Sequence, residues 1–195
     1  MYLLDIYLVD MKRAGGATAK ALLGLLSIGP MSGYDLRQLI PWSIGQFWNE
    51  SYGQIYPALK QMTADGLVER ETERQEGRPD KHVYSLTRAG RRELREWLKL
   101  PVVEEIPRSE LLLKLFFGAH AEKGVSREHV MAFLTAQESA LKVYEATEKQ
   151  LKKDEAKDPQ LPYWLMTLNF GRHRSRAAVK WAKETLEDLN RLERS

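Results

Sequence analysis

"NESYGQIYPALKQMTADGLVER", residues 49–70, decides how the first half of the chain folds. Ser51 and Gln54 stand at the S-x-x-Q spacing of a capping box, so a helix starts there. Ile55, Leu59 and Met62 fall at i, i+4 and i+7 and form an inward stripe, leaving Tyr52, Tyr56, Lys60 and Thr63 on the other face. Gly66 ends the helix and Leu67 opens a strand. Pro57 lies well inside this helix, where it cannot donate to the carbonyl of Gly53 and its ring crowds that turn.

Upstream, "TAKALLGLLSIGPMSG" predicts a compact apolar helix over about residues 18–28, stopped by Gly29 and Pro30. Ser32 caps a second helix, with Asp35 at the capping-box spacing and Leu36, Leu39 and Ile40 as its buried stripe. Pro41 is expected to end or bend it, and Trp42, Phe47 and Trp48 to plug the core beneath the next turn. Downstream, "LVERETE", a turn on "RQEGRPD" and "KHVYSL" read as a two-stranded hairpin whose tip carries Arg74, Arg78 and Lys81. Thr87 caps a further helix with Leu94, Trp97 and Leu98, closed by Pro101. Three helices, a hairpin and one more helix make a winged helix-turn-helix order.

Composition shifts at "KLPVVEEIPRSE", residues 99–110, which reads as a linker. "SELLLKLFFGAH" then predicts a densely apolar, buried helix. Ser126 is expected to cap a long helix in which Val130, Leu134, Gln137, Leu141, Tyr144, Glu148 and Leu151 alternate steps of four and three, with two polar interruptions. The last segment, about residues 162–192, puts Ala178, Ala182, Thr185, Leu189 and Leu192 on a similar seam, widened by Trp181 and Leu186. Two such helices need a partner surface: an antiparallel hairpin, a dimer, or both. The expected fold is mainly α, with an N-terminal extension at 1–16, a winged helix-turn-helix at 17–100 and an all-helical dimerisation domain at 101–195.

The 195 residues are 43% hydrophobic and 29% charged, a globular composition. A formal charge of +3 permits a nucleic-acid partner without demanding one. The absence of cysteine excludes disulfides, zinc ribbons and thiol nucleophiles, and fits a reducing compartment. "MYLLDIYLVDMKRAGG" lacks the basic start of a signal peptide and carries Asp5 and Asp10 within its apolar run. No stretch reaches the ~20 apolar residues of a membrane helix, so a cytoplasmic location without a membrane partner is expected. The four histidines, His82, His120, His129 and His173, show no metal-ligand spacing, and no phosphate loop or nucleophile elbow is present. No enzyme activity, metal or cofactor is expected.

The strings "ALLGLLSIGPMSGYDLRQLI", "FWNESYGQIYPALKQMTADGLVER" and "GRPDKHVYSLTRAGRREL" closely resemble the PadR family of bacterial transcriptional regulators. Specific motifs cover about residues 18–98, and the remainder through about 192 resembles the longer members by helical pattern. The resemblance implies a homodimer that sets one winged helix-turn-helix on each half of an inverted-repeat, double-stranded DNA operator and associates through its C-terminal helices. It also implies a repressor released by a small molecule, such as a phenolic acid or a hydrophobic drug. Residues 51–64 match the recognition helix, "IYPAL" at 55–59 its most distinctive motif, "SGYDL" at 32–36 the start of the second helix, and residues 76–82 the wing. Two departures stand out: Pro41 in the second helix, and a first sixteen residues without a counterpart. The latter are either an extra helix that packs on the partner subunit or an overcalled start with Met11 as the initiator.

A recognition helix presents side chains to base edges from its N-terminal turns. Tyr52 and Gln54 are placed for this, with Tyr56 and Lys60 on the same face, and Gly53 lets the backbone approach closely. Pro57 would stiffen the junction between the turn that meets DNA and the turns that anchor it. Residues 50–66 carry Glu50 and Asp65 against Lys60, so phosphate affinity must come from elsewhere. Arg37, Arg78, Lys81, His82, the Arg91–Arg92 pair and exposed helix N-termini at Ser32 and Ser51 are the expected sources. Trp97, Phe116, Trp164 and Trp181, with Phe117 and Phe133, either fill the core or line a pocket for a small aromatic or hydrophobic effector. The basic run "GRHRSRAAVKWAK", residues 171–183, is either the wet face of a helix or a second nucleic-acid surface. The alternative function is a winged-helix protein-interaction module without sequence-specific DNA binding.

Overall fold

The structure, a computed structural model, describes residues 16–45, 47–48, 52–73, 80–102 and 108–194. The expectations for the N-terminal extension, the Ser51 cap, and Arg74 and Arg78 at the hairpin tip lie outside these residues. The chain divides into two compact units, Met1–Val103 and Glu104–Ser195.

In the first unit, helix α1 (Gly16–Leu26) buries Ala19, Leu22, Leu23, Leu25 and Leu26. It stops before Ile28, at a turn where the Ser27 hydroxyl donates to the Gly24 carbonyl at 2.6 Å. Strand β1 (Met31–Ser32) leads directly into α2 (Gly33–Ser43), which opens on a complete capping box. The Asp35 amide donates to Ser32 Oγ at 3.1 Å, and the Ser32 amide donates to Asp35 Oδ2 at 3.0 Å. Pro41 does not stop α2, which runs on to Ser43. In the last turn a proline removes only one amide donor, and the Gly45 amide closes the end by donating to the Ile40 carbonyl at 2.8 Å. Trp42 and Phe47 do not plug the core; both are exposed.

Helix α3 (Tyr52–Ala64) buries Ile55, Leu59 and Met62 completely, as their spacing predicts. It ends in a Schellman motif around Gly66, whose φ is 70°. The Leu67 amide donates to the Met62 carbonyl at 2.9 Å and the Gly66 amide to the Thr63 carbonyl at 3.1 Å. Strands β2 (Val68–Glu73) and β3 (Lys81–Leu86) pair antiparallel from Val68↔Leu86 to Glu73↔Lys81. The sheet is three-stranded rather than a bare hairpin, in the order β1-β3-β2, with Met31 opposite Tyr84 and Ser32 opposite Val83. Two residues are too few to show an alternation, so β1 left no period to read.

Helix α4 (Arg88–Trp97) is capped by Thr87, whose Oγ1 accepts from the Gly90 amide at 3.0 Å and donates to the Gly66 carbonyl at 2.7 Å. The helix ends ahead of Pro101, and Leu98 at its C-cap is exposed rather than packed. The core of this unit joins α1, α2, α3 and the sheet through Leu22, Leu26, Leu36, Leu59, Val68 and Leu86. Lys20 of α1 pairs with Glu93 of α4 at the edge of that core.

The second unit consists of α5 (Glu110–Phe116), a 3₁₀ turn (Gly118–His120), α6 (Val125–Asp154) and α7 (Leu161–Arg194). Helix α6 starts on Gly124, in the left-handed region at φ 91°, and not on a Ser126 cap. Val130 and Leu134 pack with Ala182 and Leu186, while Glu148, farther along α6, meets the earlier Arg172 of α7. The two helices are therefore antiparallel. Both polar interruptions of the α6 seam have partners on α7. Ser175 Oγ donates to Gln137 Oε1 at 2.8 Å, and Arg172 pairs with Glu148. The buried line of α7 runs through Leu168, Ser175, Ala182 and Leu186, and Leu192 is exposed. Helix α5 is not buried: Leu112, Leu113, Phe116 and Phe117 all stand open, and Leu111 and Leu115 are the α5 residues that pack on the core of α6 and α7. Among the described residues no helix is long and apolar enough to cross a membrane.

Candidate nucleic-acid interface

Helix α3 has one anchored face and one open face. With Ile55, Leu59 and Met62 driven into the core, Gly53, Gln54, Tyr56, Pro57, Lys60 and Gln61 are all exposed. This row offers an amide, a phenol and an ammonium, three groups that pair with base edges and phosphates. Tyr52 belongs to the first turn of the helix. Pro57 is exposed within α3, and so is Gly53, whose carbonyl has lost its intrahelical donor and is open to water.

Tyr56 also fixes how α2 meets α3. A Cβ built on Gly33 would lie 2.6 Å from Tyr56 Cε1, so the tyrosine ring occupies the space that any larger residue at the start of α2 would need. Gly33 is thus the point where the two helices of the helix-turn-helix approach.

Ser32 is not an exposed helix N-terminus. It is buried, with 4% of its surface accessible, and its hydroxyl donates to Asp35 Oδ2 at 2.8 Å. The start of α2 already holds a carboxylate. The Ser32 amide, then the Ser32 hydroxyl, and more weakly Lys81, hold Asp35 below the usual aspartate range. Lys81 Nζ lies 3.1 Å from Asp35 Oδ2, so this cation of the wing base is already paired at the protein's own surface. Arg37, Arg91 and Arg92 are exposed. His82 is exposed as well, with Nδ1 3.1 Å from Thr72 Oγ1 across the ladder.

The register of the hairpin separates its charges in a way the sequence analysis missed. Glu69, Glu71 and Glu73 share a face with Lys81, Val83 and Ser85, while Arg70 and Thr72 share the other with His82 and Tyr84. Strict alternation along "VERETE" was the available signal. Among the described residues, one face of the wing carries three glutamates beside Lys81, and Arg70 and His82 stand on the other.

Three of the aromatic effector candidates, Phe116, Trp164 and Trp181, lie in the second unit, and Trp97 in the first. Phe116 is exposed and stacks edge-on against Phe117 at 5.1 Å, and Trp181 packs edge-on against Phe133 at 5.7 Å. Trp164 and Trp97 are half-buried. The second unit has a cleft of about 450 Å³ lined by Leu113, Phe117, His120, Val125, Ser126 and His129. A second, of about 330 Å³, is lined by Glu148, Leu165, Met166, Asn169 and Arg172 among others. Neither cleft is lined by Phe116, Trp164 or Trp181. In the basic run of α7, Arg172 pairs with Glu148, Lys183 with Glu138 and Lys180 with Glu184, as on a solvated helix face.

Residues 22–96 match the transcriptional regulator PadR-like family, and residues 107–190 match the virulence activator alpha C-terminal family. The negative transcriptional regulator PadR of Bacillus subtilis is 39% identical over 98 residues, which is 50% of this chain and 54% of that protein. The match thus spans about half the length of that relative. The probable transcriptional regulator Rv1176c of Mycobacterium tuberculosis is 29% identical over 184 residues, 89% of this chain and 97% of that protein. Among solved structures, Bacillus subtilis PadR in complex with operator DNA has a TM-score of 0.75 at 27% identity, covering 88% of this chain and 98% of that one. The same protein in complex with p-coumaric acid scores 0.68 at 27% identity, covering 88% and 97%. The Vibrio cholerae virulence activator AphA scores 0.70 at 28% identity, covering 90% and 99%.

Proposed function

We propose that this chain, whose residues 22–96 match the transcriptional regulator PadR-like family, is a DNA-binding regulator that represses as a homodimer on an inverted-repeat operator and responds to a small organic effector. The observation that carries the reading is α3. Three apolar residues anchor it so firmly that Gln54, Tyr56 and Lys60 are presented as one open row. Gln54 and Tyr52 would read base edges in the major groove, Tyr56 and Lys60 would hold phosphates beside it, and Arg37, His82 and Arg78 would extend the phosphate contacts. Ser51 would add the amides of the α3 N-terminus.

The second half of the chain supports two subunits per operator. Leu112, Leu113, Phe116 and Phe117 on and beside α5, and Tyr163, Met166 and Phe170 on α7, are exposed large apolar residues of the kind that subunit interfaces cover. A second copy would cover them. Repression is supported by the negative regulator of Bacillus subtilis, and an effector by that protein's complex with p-coumaric acid. In the present chain an aromatic or hydrophobic molecule would seat near Trp97, Phe116, Trp164 or Trp181.

Titrating the protein against its own upstream region in a gel-shift assay, with an unrelated duplex as control, tests the reading. Preferential retardation of the upstream fragment at moderate salt is expected; equal affinity for both duplexes at every salt concentration would refute it. Sedimentation of the free protein as a dimer tests the second part, and a monomer at micromolar concentration would remove it.

A further inference from the structure

The wing base contains a cation that its own scaffold has already neutralised. Lys81 Nζ lies 3.1 Å from Asp35 Oδ2, and that carboxylate is not free to leave. It accepts from the Ser32 amide at 3.0 Å and the Ser32 hydroxyl at 2.8 Å, while the Asp35 amide donates back to Ser32 Oγ at 3.1 Å. Ser32 in turn pairs with Val83 in the sheet, two residues along β3 from Lys81. Carboxylate and ammonium are thus fixed to each other by the cap and by the strand. Glu73 stands directly opposite Lys81 in the ladder, and Glu69 and Glu71 follow on the same face.

We infer that Asp35 withholds Lys81 from the DNA backbone and so sets the overall strength and salt dependence of binding, the wing base adding no sequence-independent affinity. The inference rests on the DNA-binding reading above. The pair is at the surface, with 38% of the Lys81 side chain and 42% of the Asp35 side chain accessible, so a phosphate competes for the ammonium in water and not in a sealed interior. To take the ammonium, the phosphate must leave Asp35 uncompensated beside another anion, next to the three glutamates of the same face. Phosphate contacts raise affinity for every sequence alike, whereas base contacts discriminate. Holding one phosphate contact back therefore lowers affinity for operator and non-operator DNA alike, which keeps binding to bulk DNA weak while the ratio between the two stays set by the base contacts.

The test is a salt titration of full-length wild type, Asp35→Asn, Lys81→Ala and the double variant, against operator and unrelated duplexes. Each phosphate neutralised adds about 0.9 to the slope of log K against log salt. Asp35→Asn preserves an oxygen to accept from the Ser32 amide, so it keeps the cap while releasing Lys81. The expected result is a slope steeper by about 0.9, equivalent to about 3.5-fold more affinity lost between about 50 and 200 mM salt. Tighter binding of both duplexes should accompany it. Lys81→Ala alone should leave the slope at the wild-type value, and the double variant should return to it.

A slope that flattens by about 0.9 in Lys81→Ala, or an unchanged slope in a folded Asp35→Asn, overturns the inference. If Asp35→Asn fails to fold, Lys81→Ala decides the matter alone, since it touches no cap. Wild type that binds neither duplex removes the underlying reading and this inference with it. Wild type that binds while the variants fail these expectations removes the inference only.

Discussion

Replacing Gly90 by alanine should destabilise the first unit, although the same change raises helix propensity. Gly90 lies within α4, where alanine is favoured over glycine by about 1 kcal/mol. A Cβ at this position would stand well under 3.0 Å from the carbonyl oxygen of Leu67, and 3.1 Å from Leu86 Cδ2. The first neighbour is backbone and cannot rotate away. That carbonyl also accepts from the Thr87 amide at 3.2 Å and from the Thr87 hydroxyl at 3.1 Å, so moving it strains the cap of α4 and the end of α3 together. Overpacking costs about 1–3 kcal/mol, and a weakened hydrogen bond about 1 more. Against the propensity gain this leaves a net loss of about 1–3 kcal/mol. Gly24→Ala in α1 is the matched control, because a Cβ there meets nothing within 4 Å. It should stabilise by up to about 1 kcal/mol. Urea unfolding of both variants measures the contrast, and a Gly90→Ala midpoint equal to or above that of Gly24→Ala would refute the packing argument.

Three further outcomes are expected. Gly33→Ala should push the Tyr56 ring off the start of α2 and weaken operator binding several-fold in a gel shift while leaving the urea unfolding midpoint nearly unchanged. Ser175→Ala should cost about 1–3 kcal/mol by leaving Gln137 Oε1 without its donor in the α6–α7 seam, whereas Ser175→Ala combined with Gln137→Leu should recover part of that loss. The ionised Asp35 carboxylate is favoured in the folded state, so its contribution is fully present above the ordinary aspartate value of about 3.9 and disappears as pH falls through its lowered value. The stability gap between wild type and Asp35→Asn, measured by urea unfolding from pH 7 downward, should therefore close below about pH 4; a gap that widens on acidification would reverse the sign of the argument.

Much of this architecture was legible because it follows from periodicity and punctuation. Ile55, Leu59 and Met62 at helical spacing, the Ser32–Asp35 box, Thr87 before α4 and Gly66 after α3 each name their own structure, and each is where its chemistry puts it. The misses have a different physical character. A two-residue strand leaves no pattern, so β1 and its hold on the wing were invisible. Burial of α5 depends on what lies opposite it, which no local pattern states: of its leucines, Leu111 and Leu115 pack on the core of α6 and α7 while Leu112 and Leu113 stay exposed. Gln137 and Glu148 looked like faults in a seam, and became intelligible only when Ser175 and Arg172 arrived from a helix some 25 to 40 residues away. For the site, the sequence pointed to the open face of α3, but it counted Lys81 as a free cation. Whether a charge is available depends on its neighbours in space, and Asp35 is 46 residues distant in the chain.

The central claim is that the open face of α3 reads DNA, once per subunit of a dimer. Selection of bound sequences from a random duplex pool tests it most directly, run in parallel with wild type and Gln54→Ala. Enrichment of an inverted repeat whose half-sites lie about one helical turn apart is expected, with Gln54→Ala losing discrimination at one position in each half-site and keeping the rest. A pool that stays random with wild type, or an enriched repeat that Gln54→Ala reads identically at every position, would contradict it.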